Sequence, residues 1–148
     1  GEKQLIKAMG KLQSQSTSNP SSISQAAAVE ALSGDQSFLK NRAEAFKKRR
    51  DFVVNALNAI DGITCLKPEG AFYVFPNCAG LIGKQTKNGK KLSNDEDVVT
   101  ALLEDAGVAV VQGSAFGLEG YFRISYATSD ELLSRACERV SKFCNELT

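Results

Sequence analysis

One short apolar segment near the C-terminus constrains the fold more than any other. Residues 120–127 read Gly-Tyr-Phe-Arg-Ile-Ser-Tyr-Ala, and their alternation predicts a β-strand. One face of that strand would be wholly apolar, formed by Phe122, Ile124 and Tyr126. The opposite face carries Arg123, whose guanidinium keeps its charge and offers a planar set of donors suited to a carboxylate. Two interpretations follow: an arginine at a sheet edge with its head in water, or a clamp for a bound carboxylate.

The composition excludes several classes of function. Hydrophobic residues make up 43% and charged residues 24% of the 148 residues, and the net charge is +1. This balance is typical of a soluble globular protein and favours neither nucleic acid nor a membrane as a partner. The chain has four cysteines and no histidine, which excludes Cys/His zinc sites and histidine-activated nucleophiles. We expect no metal site, and reduced thiols in a cytoplasmic protein.

The N-terminal quarter predicts two short helices joined by a polar connection. Residues 2–12 place apolar side chains at helical spacing, and the polar residues 13–22 that follow are mostly serine and glutamine. Residues 25–32 are predicted to form a second short helix, closed by Ser33 and Gly34. Alone, this polar run could be a flexible linker. Ser22 and Gln25 predict a capping box at the start of the second helix.

The rest of the chain predicts a long helix, two strands, a helix, two strands and a final helix. The long helix is predicted at residues 38–60. Strands are predicted at residues 63–66, 71–76, 108–111 and 120–127, the first two as a hairpin-like pair. Capping boxes predict where the later helices begin, at Ser93/Glu96, with Gly107 closing that helix, and at Thr128/Glu131. This order predicts an α+β fold: a small, mostly antiparallel sheet packed against helices.

A glycine-flanked loop precedes the arginine strand. Residues 112–117 read Gln-Gly-Ser-Ala-Phe-Gly. Two glycines around Ser114 predict a tight loop where backbone could approach a ligand, with a plain surface turn as the alternative.

Three segments together resemble a known family. Residues 68–76 (PEGAFYVFP), 107–117 (GVAVVQGSAFG) and 121–127 (YFRISYA) are similar to the C-terminal signatures of class I pyridoxal-phosphate aminotransferases. The match is closest to the bacterial aspartate aminotransferase branch, which the polar segment at residues 16–22 also resembles. One departure is Gln112, where the family often has proline, and its loss should loosen the turn.

The resemblance implies both a domain organisation and a reaction. Residues 1–37 would be a helical remnant of a large cofactor domain, and residues 38–148 would be the C-terminal small domain. The complete enzyme would be a homodimer that moves an amino group from L-aspartate to 2-oxoglutarate through pyridoxal 5'-phosphate. Arg123 would bind the α-carboxylate of the amino-acid or keto-acid substrate, and Phe72 would stand at the mouth of the site. The segment containing Ser16, Thr17 and Asn19 would lean toward the active site of the partner subunit.

The same resemblance indicates what this chain lacks. The lysine that forms the Schiff base and the groups that bind the cofactor are expected upstream of Gly1, so no residue here is predicted to be catalytic or cofactor-binding. The chain alone should then be inactive. Two alternatives stay open: an aromatic or prephenate-type aminotransferase, or a free-standing α+β module that binds a carboxylate or a partner protein without catalysis.

Overall fold

Two helices account for most of the first structural unit. The computed structural model describes all 148 residues and divides them into units of residues 1–40 and 41–148. Helix α1 (Lys3–Gln15) begins after Glu2, whose carboxylate accepts from the backbone N–H groups of the first turn. Helix α2 (Ser22–Ser33) follows, and neither helix contains a buried residue. Apolar side chains are therefore exposed along both helices, among them Leu5, Ile6, Met9, Leu12, Ile23, Val29 and Leu32.

The capping box predicted at the start of α2 is wrong. Ser22 is already inside the helix, and the preceding Ser21 makes no side-chain cap bond. The side-chain amide of Gln25 instead donates to the backbone carbonyl of Pro20, at 2.8 Å. The helix start is thus fixed by the proline-containing segment rather than by a serine hydroxyl.

Three helices and a small sheet form the second unit. The helices are α3 (Phe38–Asn58), which begins in the first unit, α4 (Asp95–Ala106) and α5 (Asp130–Asn145). The strands are β1 (Tyr73–Val74), β2 (Val111–Gln112) and β3 (Phe122–Ser125), all antiparallel in the order β1-β3-β2. The predicted α+β fold is confirmed. No helix combines the length and the apolar character needed to cross a bilayer.

The two faces of β3 differ as the alternation predicts. Phe122, Ile124 and Tyr126 are buried, and we call their side of the strand the closed face. They join one hydrophobic cluster with side chains from the three helices, including Val53, Leu57, Val98, Leu102, Leu133 and Val140. Tyr121, Arg123 and Ser125 occupy the other side, the open face, where none is buried. Burial of apolar area on the closed face is what holds the sheet against the helices.

The predicted hairpin of residues 63–66 and 71–76 is wrong. Residues 63–66 form no strand, and only Thr64 makes a single bridge, to Asn77. The Asn58 side chain explains this, because it accepts from the N–H of Cys65 at 2.8 Å and donates to its carbonyl at 2.9 Å. With its backbone bonded to a side chain, this segment cannot extend a ladder, and β1 pairs with β3 instead.

Helix ends shift two other predictions by small amounts. Asn94, rather than Ser93, caps α4 by accepting from the N–H of Asp97 at 2.9 Å, and Ser129, rather than Thr128, caps α5. Gly107 ends α4 in the left-handed conformation, as predicted. The next residue, Val108, donates its N–H to the helix, which is why the strand predicted at 108–111 is paired only from its last residue onward.

All four cysteines are free and buried: Cys65, Cys78, Cys137 and Cys144. Burial in the apolar core raises the pKa of each thiol, to about 12 for Cys78. It raises the pKa to about 11 for Cys65 and Cys144. These thiols are held in the neutral form at ordinary pH, so they are poor nucleophiles and poor metal ligands.

Candidate functional site

Two aromatic rings enclose the guanidinium of Arg123 on the open face of β3. Its Cζ lies 5.3 Å from the ring centroid of Tyr73 and 4.6 Å from that of Phe116. Tyr73 reaches it from β1, where it pairs directly with Ser125 and is the diagonal neighbour of Arg123. Phe116 reaches it from the 3-10 turn Gly113–Phe116 that follows β2. At these distances both rings attract the cation.

Arg123 has no anionic partner within the chain. It makes no ion pair, and its side chain donates no hydrogen bond to any residue. By contrast, Arg49 pairs with Asp130 at 2.6 Å and Arg50 with Asp51 at 2.8 Å. The guanidinium lies over both rings, and none of its N–H donors is bonded to another residue of the chain, so these donors stay available. The arginine is also half-buried on the central strand, so the interpretation of a residue at a sheet edge is wrong.

More aromatic side chains pack around the two rings that lie against Arg123. The Phe75 ring stacks on Tyr121 with centroids 5.7 Å apart, and it meets Phe116 edge-on at 5.8 Å. Phe72 meets Tyr73 edge-on at 5.7 Å and is 53% exposed. Phe72 therefore lies beside a ring that contacts the arginine, and its role at the mouth of a site stays a prediction.

Sequence reasoning missed the two rings that touch Arg123. Tyr73 was recoverable in principle, because alternation along β1 puts it on the face opposite Val74. The contact with Arg123 follows only from the pairing of β1 with β3, rather than with residues 63–66. Phe116 lies in an irregular turn, where no periodicity announces a contact.

The loop before β1 is tied to the end of β3. Ala71 has φ of 63°, which is uncommon for a residue with a side chain. The Tyr126 hydroxyl donates to the Ala71 carbonyl at 2.9 Å, and the Tyr126 N–H donates to the Phe72 carbonyl at 2.8 Å. Ser125 Oγ donates to that same carbonyl at 3.3 Å. Burial also raises the pKa of Tyr126, which keeps the hydroxyl protonated as a donor.

The glycine-flanked loop is tight, as predicted, but its close approach is to other backbone. Gly113 donates its N–H to the Tyr121 carbonyl at 2.7 Å, and a Cβ on Gly113 would collide with the Leu118 carbonyl and with Tyr121. The next amide, that of Ser114, donates to Oδ2 of Asp95 at 2.7 Å. Asp95 is buried, and no sequence pattern connects it with this loop.

The polar segment predicted to face a partner subunit belongs to the first unit. Ser16 ends α1, and its hydroxyl donates to the Leu12 carbonyl at 2.9 Å. Thr17 and Asn19 follow and are exposed. These positions leave the predicted role toward a partner subunit as a prediction.

The residues around Arg123 do not fit pyridoxal phosphate by themselves. A Schiff base needs an amine beside the substrate, whereas the side chains that lie against the guanidinium, Tyr73 and Phe116, are aromatic. Every lysine of the chain is exposed except Lys84, which is half-buried. The chain also has no cluster of three or more His, Cys, Asp or Glu residues that could hold a metal ion.

The fold agrees with the family that the sequence matches. The profile of the family described as aminotransferase class I and II matches residues 1–140, and the chain belongs to this family. It is 60% identical over its whole length to an aspartate aminotransferase of Rhizobium meliloti (strain 1021) and covers 36% of that protein. It is 58% identical to an aspartate/prephenate aminotransferase of Cereibacter sphaeroides, of which it covers 37%. The chain thus spans little more than a third of the length of these relatives.

Solved structures show the same relationship. The crystal structure of the aspartate aminotransferase from Rhizobium meliloti matches with a TM-score of 0.92 over all of this chain and 37% of that one, at 60% identity. The aspartate aminotransferase from Thermus thermophilus with maleate matches with a TM-score of 0.80, at 37% identity, over 97% of this chain and 35% of that one.

Proposed function

We propose that this chain is the C-terminal, substrate-recognising part of an aspartate aminotransferase that transfers an amino group from L-aspartate to 2-oxoglutarate. In this proposal residues 38–148 form the small domain, and residues 1–37 belong to the large cofactor domain. The complete enzyme is a cytoplasmic homodimer, with Ser16, Thr17 and Asn19 turned toward the partner subunit. The names of the relatives from Rhizobium meliloti support the substrate.

The observation that carries the proposal is the unpaired guanidinium of Arg123. It lies over the rings of Tyr73 and Phe116, and it pairs with no carboxylate of the chain. A planar carboxylate can accept two parallel hydrogen bonds from such a fork. The α-carboxylate is the group that amino-acid and keto-acid substrates share, so one arginine serves both half-reactions.

The residues of this chain contribute binding and orientation. The rings of Tyr73 and Phe116 displace water beside the guanidinium, which strengthens its attraction for a carboxylate. Fixing the α-carboxylate orients the substrate for chemistry at the adjacent carbon. In the complete enzyme pyridoxal phosphate supplies the electron sink for amino-group transfer. We propose that its amine and binding groups come from residues outside this chain, which alone is inactive.

A second candidate substrate has its own support. The relative from Cereibacter sphaeroides is described as an aspartate/prephenate aminotransferase. Prephenate has a keto acid group like that of 2-oxoglutarate, so the same Arg123 would bind its carboxylate. Assays of the complete enzyme with prephenate beside 2-oxoglutarate separate a dual-substrate enzyme from an aspartate-specific one.

The test is Arg123→Ala in the complete enzyme. We expect kcat/KM for aspartate to fall by the equivalent of about 2–5 kcal/mol, as for the loss of one partner of a desolvated charge pair. Arg123→Lys keeps the charge but not the planar set of donors, so its kcat/KM should lie between those of wild type and Arg123→Ala. Arg135, an exposed arginine on α5, provides the matched control, with Arg135→Ala expected to behave as wild type. Near-normal kcat/KM in Arg123→Ala, or transamination by the chain alone, would contradict the proposal.

A further inference from the structure

A buried carboxylate connects α4 to the turn that carries Phe116. Asp95 is 2% exposed and is the only charged residue of the chain in the buried class. It makes no ion pair. Its Oδ2 accepts a hydrogen bond from the backbone N–H of Ser114 at 2.7 Å, across 19 residues of sequence. Bonds of this length between an ionised acceptor and an N–H are among the strong ones in proteins.

The position of Asp95 makes its burial tolerable. It is the first residue of α4, directly after the cap residue Asn94. The positive end of the helix dipole stabilises a carboxylate there, and the N–H of Ser114 supplies a donor. Without both, a buried and unpaired carboxylate would be strongly unfavourable.

The bond from Asp95 completes the anchoring of the turn. The first residue of the turn, Gly113, is held to β3 through its bond to the Tyr121 carbonyl, and its own carbonyl accepts from Leu118 at 3.0 Å. The second residue, Ser114, has an N–H at the start of a 3-10 turn, where no preceding carbonyl of the turn can accept it. Asp95 satisfies that donor and so fixes the turn to α4 as well as to the sheet.

Phe116 is the part of this turn that reaches the site. It follows Ser114 by two residues, and its ring centroid lies 4.6 Å from Cζ of Arg123. Phe116 is about half exposed, and besides Arg123 its ring meets only the edge of Phe75 among the ring contacts of the chain. Its placement depends on the backbone of the turn.

We propose that Asp95 is a positioning residue, which holds the turn Gly113–Phe116 so that the Phe116 ring stays against the Arg123 guanidinium. This rests on the proposed function of Arg123 as the substrate-carboxylate ligand. Asp95 does not touch the substrate. When its bond is lost, the turn loosens, more water reaches the guanidinium, and substrate carboxylates bind more weakly, while kcat is unchanged.

The experiment compares three variants of the complete, cofactor-loaded enzyme. In Asp95→Ala we expect KM for both aspartate and 2-oxoglutarate to rise about tenfold, since a hydrogen bond to a charged group is lost. Its kcat should stay within about twofold of wild type, because the interaction serves substrate binding and the transition state equally. The inhibition constant of maleate, a dicarboxylate without an amino group, should rise with KM. Asp95→Asn keeps an oxygen acceptor without the charge and should raise KM only about threefold.

Asp97→Ala is the matched control. Asp97 lies in the same first turn of α4, and its carboxylate accepts from the Ser93 N–H at 2.9 Å, away from the Gly113–Phe116 turn. This variant loses a comparable bond and should leave KM unchanged. Hydrogen–deuterium exchange gives a second readout, with faster exchange at residues 113–117 in Asp95→Ala but not in Asp97→Ala.

Each outcome separates the positioning role from the proposed function. If wild type does not transaminate, or if Arg123→Ala keeps wild-type activity, the proposed function fails. If wild type is active and depends on Arg123, a wild-type KM in Asp95→Ala overturns only the positioning role. An equal rise of KM in Asp97→Ala overturns it too, because the effect would then be general destabilisation. If Asp95→Ala does not fold, wild-type KM and wild-type exchange in Asp95→Asn overturn it.

Discussion

On one face of β3, Phe122 and Ile124 are packed into the core; on the other, Arg123 is half-buried, lies over two aromatic rings and makes no ion pair. The side chains of the closed face are apolar and pack against three helices, so none of them requires a charged partner. The open face holds a charge whose donors have no partner. Neighbouring residues of one four-residue strand therefore serve different ends, with stability on one face and binding capacity on the other.

The two structural units make a similar contrast. Helices α1 and α2 expose every side chain, including Leu5 and Leu12, whereas α5 buries a continuous stripe that includes Leu133 and Val140. Helix α1 is amphipathic like α5 and yet fully exposed, so an amphipathic pattern predicts the apolar face of a helix, whereas burial also requires a surface that covers it. Residues 41–148 contain that surface within themselves.

The largest effect that tests the comparison between the two faces of β3 is on the free energy of unfolding. We expect Phe122→Ala to lower the free energy of unfolding by about 3–5 kcal/mol, because it empties a fully buried ring site. The adjacent Arg123→Ala should cost less than about 1 kcal/mol, since it loses ring contacts but no hydrogen bond or ion pair. Urea denaturation of both variants measures the difference. Equal losses would show that the open face is structural as well.

The buried thiols supply a second test, of intermediate size. Burial raises the folded-state pKa of Cys65 and Cys144 to about 11 and of Cys78 to about 12. Above pH 9 the unfolded chain loses these protons before the folded chain does, so the folded state binds more protons and stability falls as pH rises. Between pH 8 and pH 10 we expect a loss of roughly 1 kcal/mol per buried thiol.

Denaturation midpoints at pH 8 and pH 10 measure this slope. Cys78→Ala serves as the control, because it should be less stable at pH 8 but lose less on going to pH 10. An unchanged slope in that variant would mean that Cys78 is not sealed from water in its folded state.

Much of the closed face could be predicted from sequence because it follows from periodicity. The alternation of residues 120–127 separated Phe122 from Arg123. Gly107 marked the end of α4, because a left-handed residue is needed there. These features depend on neighbours within a few residues, which a sequence displays directly.

The open face could be predicted only in part. Arg123 stood out as a charge in an apolar segment, but its contacts depend on which strands pair. Asn58 removes residues 63–66 from the sheet through two side-chain bonds, and no local pattern announces this. Asp95 lies 19 residues from Ser114 and has the sequence appearance of an ordinary acidic residue in a first helical turn. Contacts of this kind are set by tertiary packing and leave no local signal.

The smallest effect compares two tyrosine hydroxyls, one on each face. Tyr126 on the closed face donates to the Ala71 carbonyl at 2.9 Å, whereas the Tyr73 hydroxyl on the open side has no hydrogen-bond partner in the chain. We expect Tyr126→Phe to cost about 1 kcal/mol of unfolding free energy, the usual net value of a neutral hydrogen bond, and Tyr73→Phe to cost almost nothing. Urea denaturation of the two variants gives the comparison. Since Ala71 is held at a positive φ beside Phe72, Tyr126→Phe should also speed amide exchange at residues 70–72. Equal costs for both variants would mean that the Tyr126 hydroxyl on the closed face does not hold this loop. The two faces of β3 would then not differ in this contribution to stability.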